Sequence, residues 1–397
     1  MSKADRWLLP DGVEELLPEQ ASQVEILRRK LLDLFSSWGY ELVIPPLIEF
    51  TDSLLVGLGS DVDIQTFKVV DQMSGRTMGI RADITAQTAR IDAHSLKREG
   101  PVRLCYAGSV LHTRPKSLMA SRTPIQVGAE LYGDAGLDSD IEVICLMLET
   151  LHCSGVKNIT LDLGHVGIYR ALIKEAGLSE EAQQKLFDAL QRKSTVDIEE
   201  AITSGINDPE MADMMRTLSQ LNGDNSVLAR AKTALAKAPG EVIAAIEVLE
   251  KVAEKIFLRM PSVRIYFDLS ELRGYHYHTG LVFSALAPGH GQAVANGGRY
   301  DHIGEVFGRA RPATGFNTDL KALLSYLEKG TAKDASTILA PTSDDLNDAE
   351  ELALWQLVQR LREEGEQVIY GLSGQACTLE YSRNLVLSDG QWTVKNR

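Results

Sequence analysis

Cysteine is scarce and scattered in this chain of 397 residues: Cys105, Cys145, Cys153 and Cys377 show no CxxC spacing. That argues against a zinc site or a disulfide framework. Buried free thiols in a reducing compartment are expected instead, which points to the cytoplasm. Long hydrophobic runs are missing as well. No stretch of about eighteen apolar residues occurs, and the start, Met1-Ser2-Lys3-Ala4-Asp5-Arg6, is polar, so neither a membrane span nor a signal segment is expected. Positive charge is in deficit: 41 Lys and Arg against 55 Asp and Glu leave a formal charge of -14, with a pI of about 5.1. Affinity for nucleic acid in general rests on Lys and Arg neutralising phosphates, so this balance tilts against a nucleic-acid partner. Phosphate-cradling loops are absent too. Gly289-His290-Gly291 and Gly297-Gly298 neither supply GxxxxGK[ST] nor lead into a helix, and tight turns account for them.

What is present divides into three zones, in a chain long enough for two or three domains. The first opens with an expected helix from Pro18 to Trp38, with Val24, Leu27, Leu31, Leu34 and Phe35 at helical spacing and Gly39 as its stop. A short strand, Tyr40 to Ile44, is closed by Pro45-Pro46, which suits a sheet edge. Residues 164–260 change texture to Ala, Leu, Glu, Gln and Lys, as in Glu180–Leu190 and Glu241–Glu250, and read as an inserted helical subdomain. Alternation returns in Val263–Leu269, a strand. Residues 1–163 and 261–328 are thus expected to form one body. The rest, 329–397, reads as a small α/β domain with a strand Thr337–Ala340, a helix Asp345–Glu364 and a strand Gln367–Tyr370.

Two stretches carry the chemistry. Arg273-Gly274-Tyr275-His276-Tyr277-His278-Thr279-Gly280 and Asn296-Gly297-Gly298-Arg299-Tyr300-Asp301 resemble the amino-acid-binding signatures of the histidyl-tRNA synthetase family. The Pro18–Pro46 segment resembles the class II motif that forms the synthetase dimer interface, and the third zone resembles a shortened anticodon-binding domain. The resemblance implies an α+β fold: a class II aminoacyl-tRNA synthetase-like antiparallel sheet flanked by helices, a helical insertion, a reduced C-terminal α/β domain and a self-associating dimer core.

The parts that activate an amino acid do not match. Gly108–Pro115 resembles the synthetase motif with the core Phe-Arg-x-Glu, but has Leu111 for the arginine and Thr113 for the glutamate. Gly315–Ala322 resembles the last class II motif, but has Ala322 for its arginine, with Asp319 nearby to repel a triphosphate. Attack on an α-phosphate needs fixed positive groups aimed at the developing charge, so no catalytic residue and no cofactor is expected.

The amino-acid pocket is better kept. Arg81-Ala82-Asp83-Ile84-Thr85 resembles the synthetase Arg-Pro-Glu-Gly-Thr loop, and Gln126-Val127-Gly128-Ala129-Glu130 the strand with its glutamine and glutamate. By resemblance Asp83, Thr85 and Gln126 would hold a ligand's ammonium, Glu130 and Tyr277 an imidazole, and Arg273 the carboxylate. His278 replaces a tyrosine of the pocket wall. Asp83 is one methylene shorter than glutamate, which moves its carboxylate by roughly 1 to 1.5 Å. Taken singly, Asp83 or Glu130 is more often a structural carboxylate than a ligand group. His276 and His278 sit two apart on an expected strand, facing one way, but lack a third ligand at a recognisable interval, so no metal is expected. Arg114, Lys116 and Arg122 form a basic loop that would meet ATP or RNA in a synthetase, or is simply an ordinary surface loop.

A retained histidine pocket without ATP chemistry is similar to the family of histidyl-tRNA-synthetase-like regulatory subunits of ATP phosphoribosyltransferase. That resemblance implies a short-form catalytic subunit as partner, activation of it, histidine as feedback effector, and no nucleic acid or membrane. Two rivals stay open. A divergent histidine–tRNA ligase would exchange pyrophosphate in the presence of histidine and ATP, and a synthetase-like RNA-binding regulator would retard histidine tRNA at moderate salt.

Overall fold

The computed structural model describes residues 7–55, 60–115, 120–327, 337–344, 346–377 and 379–397. The chain divides into two compact units, Met1–Leu327 and Glu328–Arg397.

The first helix, Pro18–Ser37, buries Val24, Leu27, Leu31 and Phe35 as one stripe, with proline in its first turn, where no N–H is needed. Gly39 ends it at φ 82°, a left-handed conformation that glycine adopts without steric cost. The strands of the first unit are β1 (Glu41–Leu42), β2 (Ile48–Phe50), β3 (Phe67–Val70), β4 (Thr77–Ile80), β5 (Val102–Ser109), β6 (Ile125–Tyr132), β7 (Thr160–His165), β8 (Asn222–Gly223), β9 (Arg264–Asp268), β10 (Leu281–Leu286), β11 (Ala295–Arg299) and β12 (Ala313–Asp319). Nine of them make one sheet in the order β1-β5-β6-β12-β11-β10-β7-β9-β8, and β2-β4-β3 make a small second sheet.

The large sheet is antiparallel through its centre, as expected, with one parallel pair towards each end. Its central strands, β5 to β7 in sheet order, pair antiparallel, but β1 runs parallel to β5 and β9 parallel to β7. The β7–β9 pair is parallel because the whole run 166–259 lies between its strands, and a parallel neighbour needs such a crossover. β1 sits at the sheet edge, as its following prolines require.

Alternation along the strands separates two faces. Val127, Ala129, Leu131, Leu163, Phe283 and Phe316 enter the main core, where Phe35 meets Phe316 edge-on at 6.1 Å. The helix Leu137–Cys153, buried along most of its length, packs against the central strands. On the other parity, Asp162 of β7 pairs with Ser284, Ser284 with Asn296 and Asn296 with Asn317, so one polar row crosses four strands.

Six helices occupy most of 166–259: Val166–Ala176, Glu180–Gln191, Thr195–Gly205, Pro209–Leu218, Ser226–Ala234 and Gly240–Arg259. The side chains of Ser179, Ser194 and Asp208 cap three of them. The run is not wholly helical, since β8 joins the end of the large sheet, and its buried residues are continuous with the main core. Among the described residues no helix is long and apolar enough to cross a membrane. Cys105 and Cys145 are buried, Cys153 is half-buried, and Cys377 is exposed, contrary to the buried thiol expected there. Burial pushes the Cys105 thiol up to about 12.

The second unit has strands β13 (Ile338–Ala340), β14 (Val368–Tyr370), β15 (Arg383–Ser388) and β16 (Gln391–Asn396) in the order β14-β13-β15-β16. Its helix spans Asp348–Glu363 and starts at a capping box formed by Asn347 and Glu350; Asp345, the start expected from sequence, lies outside the described residues. The β15–β16 hairpin turns on Asp389-Gly390, both at positive φ.

Candidate amino-acid-binding cavity

A cavity of about 210 Å³ opens on the polar face of the large sheet. It is smaller than the roughly 300–1,000 Å³ that drug-sized ligands occupy, and suits a molecule of amino-acid size. Asp83, Thr85, Glu130, Arg273, Tyr277 and His278 all line it.

Glu130 is its most enclosed carboxyl, at 1% exposure. Oε1 accepts hydrogen bonds from Thr85 Oγ1 at 2.9 Å and Tyr106 OH at 3.0 Å, and Oε2 accepts from Tyr300 OH. Burial pushes its carboxyl up to about 8; the Tyr300 and Thr85 hydroxyls oppose that rise in part. Gly315 pairs with Glu130 across β6 and β12, and a Cβ there would overlap Oε2. Glycine is therefore required for the carboxylate to be seated.

Gln126 does not line the cavity. Its Nε2 donates to Asp83 Oδ2 at 2.6 Å and its Oε1 accepts from the Ile84 N–H at 2.9 Å, so it holds Asp83 in place rather than facing a ligand. Asp83 Oδ1 accepts from the Thr85 N–H at 2.7 Å. At the far end Arg273 donates to Asn296 Oδ1 at 2.6 Å and stands 3.5 Å from the Glu271 carboxylate. Among the described residues that line the cavity, Arg273 is the only cation; Asp83, Glu130, Asp162 and Glu271 are carboxyls.

The loop carrying Arg273, Tyr277 and His278 is a turn, not the strand expected from sequence. His276 and His278 consequently do not share a face. His276 is exposed and its ring is tilted against Phe187 at 5.2 Å, while His278 is buried with Nδ1 at 3.1 Å from the Arg299 carbonyl. Burial pulls the His278 imidazole down to about 4, and a neutral ring lies against Tyr277 at 4.2 Å. Burial also raises the Tyr277 phenol. The inserted helices fasten this loop from outside. Arg170 donates to the carbonyls of Tyr275 at 3.1 Å and His278 at 3.0 Å, and Tyr169 and Phe187 each pack on Tyr275 at 5.4 Å.

The basic-loop reading is only partly met. Arg114 is exposed, Lys116 lies outside the described residues, and Arg122 is committed to structure, donating to the His112 and Asp11 carbonyls at 3.0 Å each. Neither Arg114 nor Arg122 lines the cavity. Asp319, read as a group repelling phosphate, serves the fold instead. Its Oδ1 accepts from the backbone of Ile125 and Lys321 at 3.0 Å each, capping a short helix. Asp162, Glu271, Ser284, Asn317 and Arg170 were missed in sequence. Each is a single polar residue in an otherwise ordinary element, and only the strand order brings Asp162 and Ser284 beside Asn296 and Asn317.

Comparison with known proteins adds a separate line. Residues 12–323 match the family described as histidyl-tRNA synthetase, and residues 335–395 match the ATP phosphoribosyltransferase subunit HisZ C-terminal domain. The chain is 55% identical to an ATP phosphoribosyltransferase regulatory subunit of Stutzerimonas stutzeri and 54% identical to one of Azotobacter vinelandii, in each case over 99% of both chains. Among solved structures it resembles an ATP phosphoribosyltransferase regulatory subunit/histidyl-tRNA synthetase of Bacillus halodurans, with a TM-score of 0.82 and 28% identity over 95% of this chain and 96% of that one. It also shares the fold of the histidyl-tRNA synthetase of Nostoc, with a TM-score of 0.76 and 17% identity over 98% and 97%.

Proposed function

This chain belongs to the family of ATP phosphoribosyltransferase regulatory subunits, and from that membership we propose that its cavity binds free histidine and relays occupancy to a short-form catalytic subunit. The chain is a non-catalytic, regulatory member of a transferase complex, and it does not aminoacylate tRNA. The observation that carries the histidine reading is the cavity's polarity. A buried carboxyl under three hydroxyls closes one end and a lone arginine stands at the other, a pattern suited to a small zwitterion with an imidazole.

In this reading the imidazole lies against Glu130 and Tyr277, Asp83 faces the ammonium, and Arg273 faces the carboxylate, after exchanging Asn296 for the ligand. The phosphate-binding half of a synthetase site has no counterpart. Leu111 and Ala322 carry no charge, and the Thr113 hydroxyl is spent on the Ile64 carbonyl at 2.6 Å. Histidine then acts as end-product inhibitor of the first step of its own synthesis, in a cytoplasmic complex. A coupling of about 1–3 kcal/mol is typical and must be reciprocal, so substrates of the partner should weaken histidine binding. The edge near β1 exposes Leu42, Ile44 and Leu47, with Ile44 at 84%, which supports self-association there.

The test is co-purification with the short-form phosphoribosyltransferase, then its assay with and without histidine. The chain should raise the rate and histidine should lower it, while Glu130→Ala should leave assembly intact and abolish inhibition. A rate indifferent to both chain and histidine rejects the proposal.

A further inference from the structure

We infer that Asp162 is a further ligand-binding residue of the cavity, accepting an N–H of the ligand's α-ammonium beside Arg273. This rests on the reading of the cavity as a histidine site.

A free amino acid carries its ammonium and carboxylate on one carbon. The acid and the arginine that recognise them must therefore stand side by side. Asp162 and Arg273 line the same cavity, and the Arg273 guanidinium opposes in part the rise of the Asp162 carboxyl. Asp162 belongs to β7, directly opposite Ser284 of β10, which itself pairs with Asn296, the residue that anchors Arg273.

The other carboxyls of the cavity are already supplied with donors. Both Asp83 oxygens accept, one from the Thr85 N–H and one from Gln126. Glu130 takes three hydroxyls, and Glu271 accepts from the Arg273 N–H at 2.7 Å. Asp162 accepts no hydrogen bond from any described residue, and its Oδ1 is buried. Its acidic neighbour Asp268 cannot help, since that carboxylate is held by Ser270 and Lys193. Buried polar groups are normally partnered, and one left bare in a cavity wall finds its partner in whatever fills the cavity. An ammonium has three N–H donors, so Asp83 and Asp162 can both be served by it. Burial, then Asp268 and Glu271, push the Asp162 carboxyl up to about 7, consistent with a wall short of positive charge.

The experiment is calorimetric titration of the full chain and of Asp162→Asn with three probes: L-histidine, histidinol, which lacks the carboxylate, and imidazolepropionate, which lacks the ammonium. Loss of a charge-assisted hydrogen bond should weaken histidine and histidinol about ten- to a hundredfold. Imidazolepropionate should bind both chains alike, and Asp162→Ser should repeat the pattern should the asparagine variant not fold. Equal weakening of all three probes, or of none, overturns the assignment of Asp162 while leaving the histidine site standing. Wild-type chain that takes up no histidine removes the site reading itself, and this inference with it.

Discussion

Replacing Glu130 by glutamine separates what the carboxyl does for a ligand from what it does to the fold. In the unfolded chain this group titrates near 4.5, and in the folded chain burial raises it to about 8. The folded chain thus keeps a proton that the unfolded chain gives up. Its contribution to stability is whole below pH 4.5 and is lost as pH rises toward 8. At about 1.36 kcal/mol per pH unit, the group costs the wild-type chain about 2.5 kcal/mol between pH 5 and pH 7. The amide has the same shape and does not titrate. Its carbonyl oxygen can still accept from Thr85 and Tyr106, and its NH₂ can donate to Tyr300, because a hydroxyl is both donor and acceptor. Urea unfolding of both chains at pH 5, 6 and 7 should therefore show Glu130→Gln gaining steadily on the wild type, by about 2.5 kcal/mol over the range. Other raised carboxyls, Asp162 among them, act on both chains and cancel in the difference. Added histidine should stabilise the wild type and leave the variant unchanged. Parallel pH curves would refute the claim that this carboxyl is held protonated by burial.

Gly315→Ala forces Glu130 from its seat, and should cost about 1–3 kcal/mol in urea unfolding and remove measurable histidine binding. Arg170→Met keeps the packing on Tyr275 but loses two hydrogen bonds to the signature loop, at about 1 kcal/mol each. Hydrogen exchange at the Tyr277 and His278 amides should quicken about tenfold or more, and unchanged exchange would show that the inserted helices do not hold the loop. Arg311→Ala strips a buried ion pair to Asp92, at 2.9 and 3.1 Å, leaving a carboxylate alone at 2% exposure. It should cost about 3–5 kcal/mol, read as a lowered urea midpoint.

The expectations from sequence held where one local period dominated. The helix Pro18–Ser37, the strand Arg264–Asp268 and the β-α-β start of the second unit all have a repeating apolar pattern and a glycine, proline or capping residue at one end. They failed where the deciding fact was a partner far along the chain. The signature loop reads as alternating Tyr-His-Tyr-His, yet forms a turn because Gly274 takes a positive φ and Arg170, more than a hundred residues earlier, gathers its carbonyls. Arg122 looks like a free cation in a basic loop, and only the fold reveals the two carbonyls it serves. The β15–β16 hairpin is absent from those expectations, although Asp389-Gly390 between alternating residues is a strong turn signal.

Three buried arginines of the first unit bring no charge to the cavity. Arg81 donates to the Ser109 and Pro45 carbonyls, Arg299 to Asp140 and the Asp134 and Gly136 carbonyls, and Arg311 to Asp92. All three are buried, and their charge is spent inside the fold. The cavity wall is left with four carboxyls against one arginine. A triphosphate would bring several negative charges to a wall whose single cation, Arg273, already stands beside the Glu271 carboxylate, and unbalanced like charge in a site of low dielectric is costly. A zwitterion with an imidazole brings an ammonium for the acids and a single carboxylate for Arg273. Losing two arginines from a synthetase-like site therefore does more than remove catalysis. In the proposed reading it leaves a wall whose charge favours a cation-bearing amino acid over a nucleotide.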